Sequence, residues 1–191
     1  MLKQFIEFVE SVLPSVPQES ANAAKEAINQ INCDKYEFVT TKLLPELSQG
    51  DMISEIPFFY LDGSGVQKNF KSKGMIISTS CHIDQKDLIL IAPAFSVEDF
   101  VGDITSLKRN QIYDYMYLSN ISGKDYFVDF SSIGSYNKSM LIKGFEVDKI
   151  HRVASLSQLG YYFLIIKLTV FLMRREDSTT LKHRSDLSTA Y

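Results

Sequence analysis

The chain has 191 residues, of which 45% are hydrophobic and 23% are charged, and its formal net charge is -3 at pH 7. These values are typical of a globular protein with one main core, and they exclude a largely disordered or fibrous chain. The acidic balance also argues against a protein that coats duplex nucleic acid with basic surface, so any phosphate contact must come from a local patch.

The cysteines and the first residues indicate the cellular setting. Cys33 and Cys81 stand far apart without a paired spacing, which favours reduced thiols. The opening segment MLKQFIEFVE mixes charged with apolar side chains and does not form the apolar centre of a signal peptide. The sequence therefore predicts a cytoplasmic protein.

The first 49 residues predict a helical extension. Leu2, Phe5 and Val9 recur at helical spacing, and Pro14 ends this first helix. A second helix is predicted over residues 20–31, where alanine is frequent. We expect both helices to cover a sheet edge or a partner.

From Gly50 onward, short apolar runs separated by turn residues predict the strands of a small β-barrel. The first run ends at Tyr60 and is followed by Asp62-Gly63-Ser64-Gly65, which is a strong hairpin turn signal. Pro57 places this strand at an edge or at a bulge. The predicted strands are residues 51–60, 75–78, 88–92, 126–130 and 140–142, the last with Phe145 and Val147 behind it.

Two further helices are predicted in the same part of the chain. Ser96 precedes Glu98 and Asp99 as an N-cap precedes acids in a first turn, which predicts a helix to about Tyr115, although Gly102 weakens it. The second is a long apolar helix near the C-terminus, buried against the barrel or in a dimer interface. Its apolar residues are spaced by three and four: Leu156, Leu159, Phe163, Ile166, Val170 and Met173.

A membrane span is the less favoured interpretation of this last helix. A span needs about 20 apolar residues, and Gln158, Lys167 and Arg174 interrupt the run. The polar residues 178–191 predict a tail or a frayed helix end.

Four segments, "QGDMISEIPFF", "KSKGMIISTSC", "LILIAPAF" and "VDFSSIGSYNKSML", occur in order at plausible separations. In these four segments taken together, the chain resembles the MazF/PemK toxin family over residues 50–150, and it also resembles the family in its C-terminal helix. The resemblance implies an α+β fold with a small SH3-like (CcdB-like) β-barrel. The implied organisation is a helical extension over residues 1–49, the barrel and its C-terminal helix over residues 50–177, and a tail over residues 178–191.

The resemblance also implies a function, namely metal-independent endoribonuclease activity on single-stranded RNA, in which the ribose 2′-OH attacks the adjacent phosphate. It implies a homodimer and an antitoxin-like protein inhibitor, without a cofactor. Family members use an arginine before the second strand and a hydroxyl after the third, where this chain has Lys71 or Lys73 and Ser96. Lysine lacks the bidentate fork of arginine, and Ser96 also fits a helix N-cap. Impaired catalysis therefore stays open.

The candidate catalytic residues are Lys73, which would neutralise the scissile phosphate, and Ser78 and Ser96, which would supply hydroxyls. A basic hairpin interleaved with an aromatic ring predicts single-strand contact, because rings stack bases while ammonium groups follow the backbone. Its alternative is a solvated hairpin whose lysines protect an edge strand. The predicted RNA-binding residues are Lys68, Phe70, Lys71, Asp129, which would orient its loop, and Lys138.

Two other chemistries find little support. Cys81 and His82 are neighbours on a predicted extended segment, so their side chains point to opposite faces. The cysteines and histidines lack metal-ligand spacing, so we expect no metal site. The competing function is a non-catalytic SH3-like module that binds protein or RNA in a larger assembly, and the missing arginine favours it.

Overall fold

The computed structural model describes residues 37–172, 179–180 and 182–183. Within them the protein has an α+β fold, with an eight-stranded antiparallel sheet and helices. The helices predicted over residues 2–13 and 20–31 lie outside the described residues. In the predicted tail, residues 179–180 and 182–183 are helical.

The strands are β1 Val39–Thr40, β2 Met52–Leu61, β3 Gln67–Ile76, β4 Leu88–Ser96, β5 Tyr115–Ile121, β6 Lys124–Asp129, β7 Gly134–Asn137 and β8 Arg152–Leu156. The helices are α1 Ser80–Gln85, α2 Ile104–Lys108, α3 Lys138–Glu146 and α4 Gln158–Leu172, and short 3-10 turns cover Val97–Asp99 and Phe130–Ser132. Strands β2, β4 and β6 confirm three of the predicted runs, whereas β3 covers only Met75 and Ile76 of the run predicted over residues 75–78 and begins eight residues before it.

The sheet is open, so the closed barrel expected from the sequence is not formed by its ladders. The strand order is β1-β8-β2-β3-β4-β6-β5, with β7 paired to β4, and no ladder among the described residues joins β1 to β5. The outer edge of β5 is partly occupied by a side chain, since Asn110 Oδ1 accepts from Tyr117 N at 2.6 Å and its Nδ2 donates to Tyr117 O at 3.3 Å. At the other end β1 has only two residues, too few for a long ladder.

The two sides of the sheet carry separate cores. One cluster, which includes Met52, Met75 and Val128, packs against Phe163 and Leu164 of α4. The other includes Ile76 and Ile91 and packs against Leu141 of α3 and Ile83 of α1. Neighbouring residues of one strand serve opposite cores, because side chains alternate along a strand. The continuous apolar runs follow from this two-sided burial.

The predicted helix from Ser96 to Tyr115 is wrong, because the segment is divided into a 3-10 turn, the short helix α2 and the start of β5. Asp103 caps α2 by accepting from Thr105 N at 2.9 Å. Asn110 then takes a left-handed conformation with φ 55, which ends the helix. Strand β5 was not predicted.

The strand predicted at residues 140–142 is also wrong, because they lie in helix α3. Asn137 begins that helix by accepting from Ser139 N at 2.9 Å, a capping signal that the apolar run conceals. The C-terminal helix is confirmed as α4 over Gln158–Leu172, and Met173 lies outside the described residues. Leu156 belongs to β8, which was not predicted. No helix within the described part of the chain combines the length and apolar character needed to cross a membrane.

Candidate functional site

The β2–β3 hairpin carries most of the candidate residues and projects beyond the sheet. Strand β3 pairs with β4 only from Lys73 onward, and β2 pairs with β8 only at Met52 and Ile53. Beyond these points the two strands pair only with each other, as far as Leu61 opposite Gln67. The predicted turn closes the hairpin, and Asp62 Oδ1 accepts there from Ser64 and Val66.

Strand alternation divides the predicted basic cluster between two faces of this hairpin. Residues separated by two positions share a face, whereas neighbours point to opposite faces. Three lysines within six residues therefore do not form one surface. The ring face carries Phe58, Tyr60, Lys68 and Phe70, and the lysine face carries Lys71 and Lys73.

On the lysine face, a cation, an aromatic ring and a hydroxyl lie together. Lys73 Nζ is 4.9 Å from the centre of the Tyr126 ring. Tyr126 pairs with Ser96 on β4, and Lys73 pairs with Ala94, two residues before Ser96. Ser96 and Lys73 are thus diagonal neighbours on one side of the sheet, with Cα atoms about 7–8 Å apart in regular geometry. Two of the three predicted catalytic residues are brought together.

Ser96 has a structural role at the same position. Its Oγ accepts from Glu98 N at 3.3 Å and caps the 3-10 turn Val97–Asp99. Accepting this bond uses an oxygen lone pair and leaves the hydroxyl hydrogen available to donate. The capping role is therefore compatible with donation to a ligand.

The other hairpin lysines each contact a carboxylate. Lys71 Nζ lies 3.8 Å from Glu55 Oε2. Because both side chains are more than half exposed, this pair contributes little to the stability of the fold. Lys68 Nζ lies 3.5 Å from Asp62 Oδ2 on the ring face. The hydrogen bond from the Ser64 side chain, followed by the bond from the Val66 main chain, lowers the pKa of Asp62 and keeps it ionised beside Lys68.

Ser78 and Lys138 are placed away from this group. Ser78 is buried and its Oγ accepts from Leu90 N at 2.8 Å. It lies five residues beyond Lys73, roughly 16 Å along an extended chain. Lys138 Nζ donates to the carbonyl oxygens of Ile83 at 2.8 Å and Asp84 at 3.3 Å, so it closes the end of α1. Both residues support the fold at the end of β4 opposite to Ser96.

The turn that follows Ser78 is helical, whereas the sequence predicted an extended segment there. Helix α1 includes Cys81 and His82, and Cys81 Sγ lies 3.3 Å from Thr79 Oγ1. Among the residues that the structure describes, no group of three or more His, Cys, Asp or Glu side chains could hold a metal ion.

The ring face borders a groove of about 400 Å³ between the hairpin and the segment after β6. Asp129 organises that segment, since its Oδ1 accepts from Ser131 Oγ at 2.6 Å and its Oδ2 accepts from Ser132 Oγ at 2.9 Å. On the opposite side, Tyr136 Oη donates to Pro57 O at 2.9 Å. The groove is lined by Phe58, Phe59, Tyr60, Phe70, Ser131, Ser132, Ile133, Gly134 and Tyr136.

Phe70 is part of a row of packed rings. It stacks on Phe58 with centres 5.5 Å apart and on Phe95 with centres 5.6 Å apart. Because these neighbours come from the strands on either side, both faces of the Phe70 ring are used within the protein. Tyr60, which is 54% exposed, offers more free aromatic surface.

Sequence reasoning missed the role of Tyr126, because strand register sets its neighbours. It also missed a buried ion pair: Arg152 donates to Asp51 Oδ2 at 2.8 Å, and Ser155 donates to Asp51 Oδ1 at 2.6 Å. Asp51 follows Gly50 and immediately precedes β2, so the sequence signal for this pair was an acid placed directly before an apolar strand. Its role is to join β2 to β8.

A comparison of the chain with known protein families finds no match, and no curated protein sequence matches it.

Proposed function

We propose that this protein binds single-stranded RNA on the lysine face of its hairpin, as a divergent relative of the MazF/PemK toxins with an opened SH3-like sheet. The observation that carries the proposal is the position of Lys73 Nζ over the Tyr126 ring, beside Ser96. Lys73 supplies a cation for a phosphate and Ser96 supplies a hydrogen-bond donor, while Tyr126, which packs against the core beneath the Lys73 ammonium, holds that cation in place.

The proposed site is small, and this limits its affinity. Lys71 and Lys73 are the cations on this face of the hairpin, and the exposed acids Glu98 and Asp99 lie just after Ser96. Two phosphate contacts to a single strand give a salt dependence with a slope of about -1.4 in log affinity against log salt. We therefore expect weak binding that is measurable at low ionic strength.

RNA cleavage is the second part of the proposal, in the metal-independent manner of MazF-like enzymes. The 2′-oxygen would attack the adjacent phosphorus while the bond to the 5′-oxygen of the next nucleotide breaks, which gives a 2′,3′-cyclic phosphate and a free 5′-hydroxyl. Solvent water would take the 2′-OH proton and protonate the leaving oxygen. Lys73 would neutralise the phosphate, and Ser96 would donate to a phosphate oxygen. Neither an ammonium group nor a serine hydroxyl is a strong base near neutral pH. We therefore expect cleavage to be slow relative to binding. The proposed setting is the cytoplasm, with a homodimer built on α4 and an antitoxin-like inhibitor.

The test measures fluorescence anisotropy of a labelled single-stranded RNA at low salt in EDTA, followed by electrophoresis of the same samples. Lys73→Ala should weaken binding by about five- to tenfold, in line with the loss of one phosphate contact. Lys68→Ala is the matched control, because it removes a lysine from the same strand on the opposite face. It should leave binding unchanged.

Each outcome decides one part of the proposal. Equal losses in both variants would mean that RNA does not follow one face, and wild-type protein that binds no RNA would overturn the function. Binding without products would remove the cleavage part alone. The competing function, an interaction module, draws its support from the groove on the ring face.

A further inference from the structure

The hydroxyl groups that line the ring-face groove direct their hydrogens into the protein. Ser131 and Ser132 both donate to Asp129, at 2.6 Å and 2.9 Å. Tyr136 donates to the carbonyl oxygen of Pro57 at 2.9 Å. What these three groups present to the groove is therefore oxygen lone pairs, which accept hydrogen bonds.

The charged groups beside the groove also favour a ligand that donates hydrogen bonds. The Asp129 carboxylate lies directly behind the two serines. The nearby cation, Lys68, is offset by Asp62 at 3.5 Å. The balance is negative, so an anionic group such as a phosphate gains nothing there, whereas a cation that donates hydrogen bonds is attracted.

The exposed aromatic surface indicates which kind of cation fits the groove. Tyr60 is 54% exposed and its ring tilts against Phe70, with centres 6.2 Å apart. Planar cations stack on such rings. A guanidinium group is planar, carries five N–H donors and is weakly hydrated, so it fits acceptors and rings better than a lysine ammonium does.

We infer that the ring-face groove binds an arginine side chain presented by a partner peptide. The guanidinium stacks on Tyr60 and donates to the oxygens of Ser131 and Ser132, with Asp129 supplying the charge behind them. This site is independent of the proposed RNA surface, which lies on the opposite face of the same hairpin.

The test uses the full-length ¹⁵N-labelled protein and amide NMR, which detects millimolar binding. The probe is the capped peptide Gly-Ser-Arg-Ser-Gly, and the matched control peptide has citrulline, a neutral isostere, in place of arginine. Saturable shifts of the Ser131, Ser132 and Gly134 amides are expected with the arginine peptide, with affinity about tenfold higher than for citrulline. Equal binding of both peptides, or no saturable shift, overturns the inference.

Two variants locate the site. Tyr60→Ala removes the exposed ring, and Asp129→Asn removes the charge while keeping an oxygen that can cap the turn. Each should weaken arginine binding by about three- to tenfold. Lys73→Ala should leave peptide binding unchanged, while Tyr60→Ala should leave RNA affinity unchanged, so failure of one proposal is separable from failure of the other. Undiminished binding in Asp129→Asn would exclude the charge-assisted mode.

Discussion

Lys167 Nζ donates to the carbonyl oxygen of Ile112 at 2.6 Å, from a side chain that is only 6% exposed in the middle of α4. It also donates to Asn110 O at 3.2 Å. This lysine therefore fastens the segment before β5 to the C-terminal helix. Lys167 interrupts the apolar pattern of the sequence, but in the structure it is one of the main contacts between α4 and the rest of the protein.

The first prediction concerns the pH dependence of stability. Burial lowers the pKa of Lys167 from 10.5 to about 8, and the charge of Asp114 offsets part of this effect. Below about pH 8 the folded and unfolded chains both hold the proton. Between about pH 8 and 10.5 only the unfolded chain holds it, so stability rises with pH. Lys167 should contribute a gain of about 2 kcal/mol between about pH 7.5 and 9.5, measured by chemical denaturation as the difference from a variant that lacks its ammonium group.

The matched variant for this prediction is Lys167→Met. It deprives the carbonyl groups of Asn110 and Ile112 of a donor, so its stability at neutral pH can change in either direction. The measured quantity is the difference in slope between the two proteins, because the raised pKa values of four tyrosines lower the stability of both as the pH approaches 10: Tyr115, Tyr117, Tyr136 and Tyr161. An equal slope in both proteins would show that Lys167 is not its source.

The second prediction concerns the buried pair of Asp51 and Arg152. Asp51 is fully buried, and its carboxylate contacts the Arg152 guanidinium at 2.8 Å. The substitution Arg152→Leu leaves this carboxylate without its cation. Breaking a buried pair in this way costs about 3–5 kcal/mol. Urea denaturation of the single variant should show this loss. The double variant with Asp51→Asn should recover part of it, and no recovery would mean that Arg152 acts by packing instead.

The third prediction concerns the close approach of α4 to the chain before β1. A Cβ atom on Gly160 would overlap the main-chain carbonyl of Phe38, which cannot move aside as a flexible side chain can. Gly160→Ala should therefore displace Phe38, whose ring stacks on Phe163 at 4.8 Å, at a cost of about 1–3 kcal/mol.

Gly63→Ala is the matched control for that change, because a Cβ atom there meets nothing within 4 Å. Its melting temperature should stay close to that of the wild type. A Gly160→Ala protein with unchanged stability would show that α4 and the Phe38 main chain can separate without cost.

The sequence predicts the elements whose signals are local. The hairpin turn at Asp62 and the apolar runs of β2, β4 and β6 follow from residue types that act within a few positions. Helix α3 was missed, because Leu141 and its apolar neighbours fit a short strand as well as one helix face. Strand β5 was missed, because the cap on Ser96 suggested a longer helix than Gly102 and Asn110 allow.

The candidate site also contains residues that could be predicted from the sequence and a contact that could not. Lys73 and Ser96 could be named from motifs, and the sheet makes them neighbours. Their association with Tyr126 depends on strand register, which pairs residues 30 positions apart and leaves no local mark. The lysines of the hairpin were expected to form one surface. Lys68 and Lys71 differ by an odd number of positions, however, so a strand must place them on opposite faces.

The last prediction separates these faces by salt dependence. If RNA contacts Lys71 and Lys73, the double alanine variant should lose nearly all of the wild-type slope of log affinity against log salt, which is about -1.4 for two phosphate contacts. Lys68→Ala should keep the full slope, because its ammonium lies on the other face beside Asp62. Anisotropy titrations at four salt concentrations would measure each slope. A slope that falls equally in Lys68→Ala would assign the binding to diffuse charge, since only a localised contact depends on which face a lysine occupies.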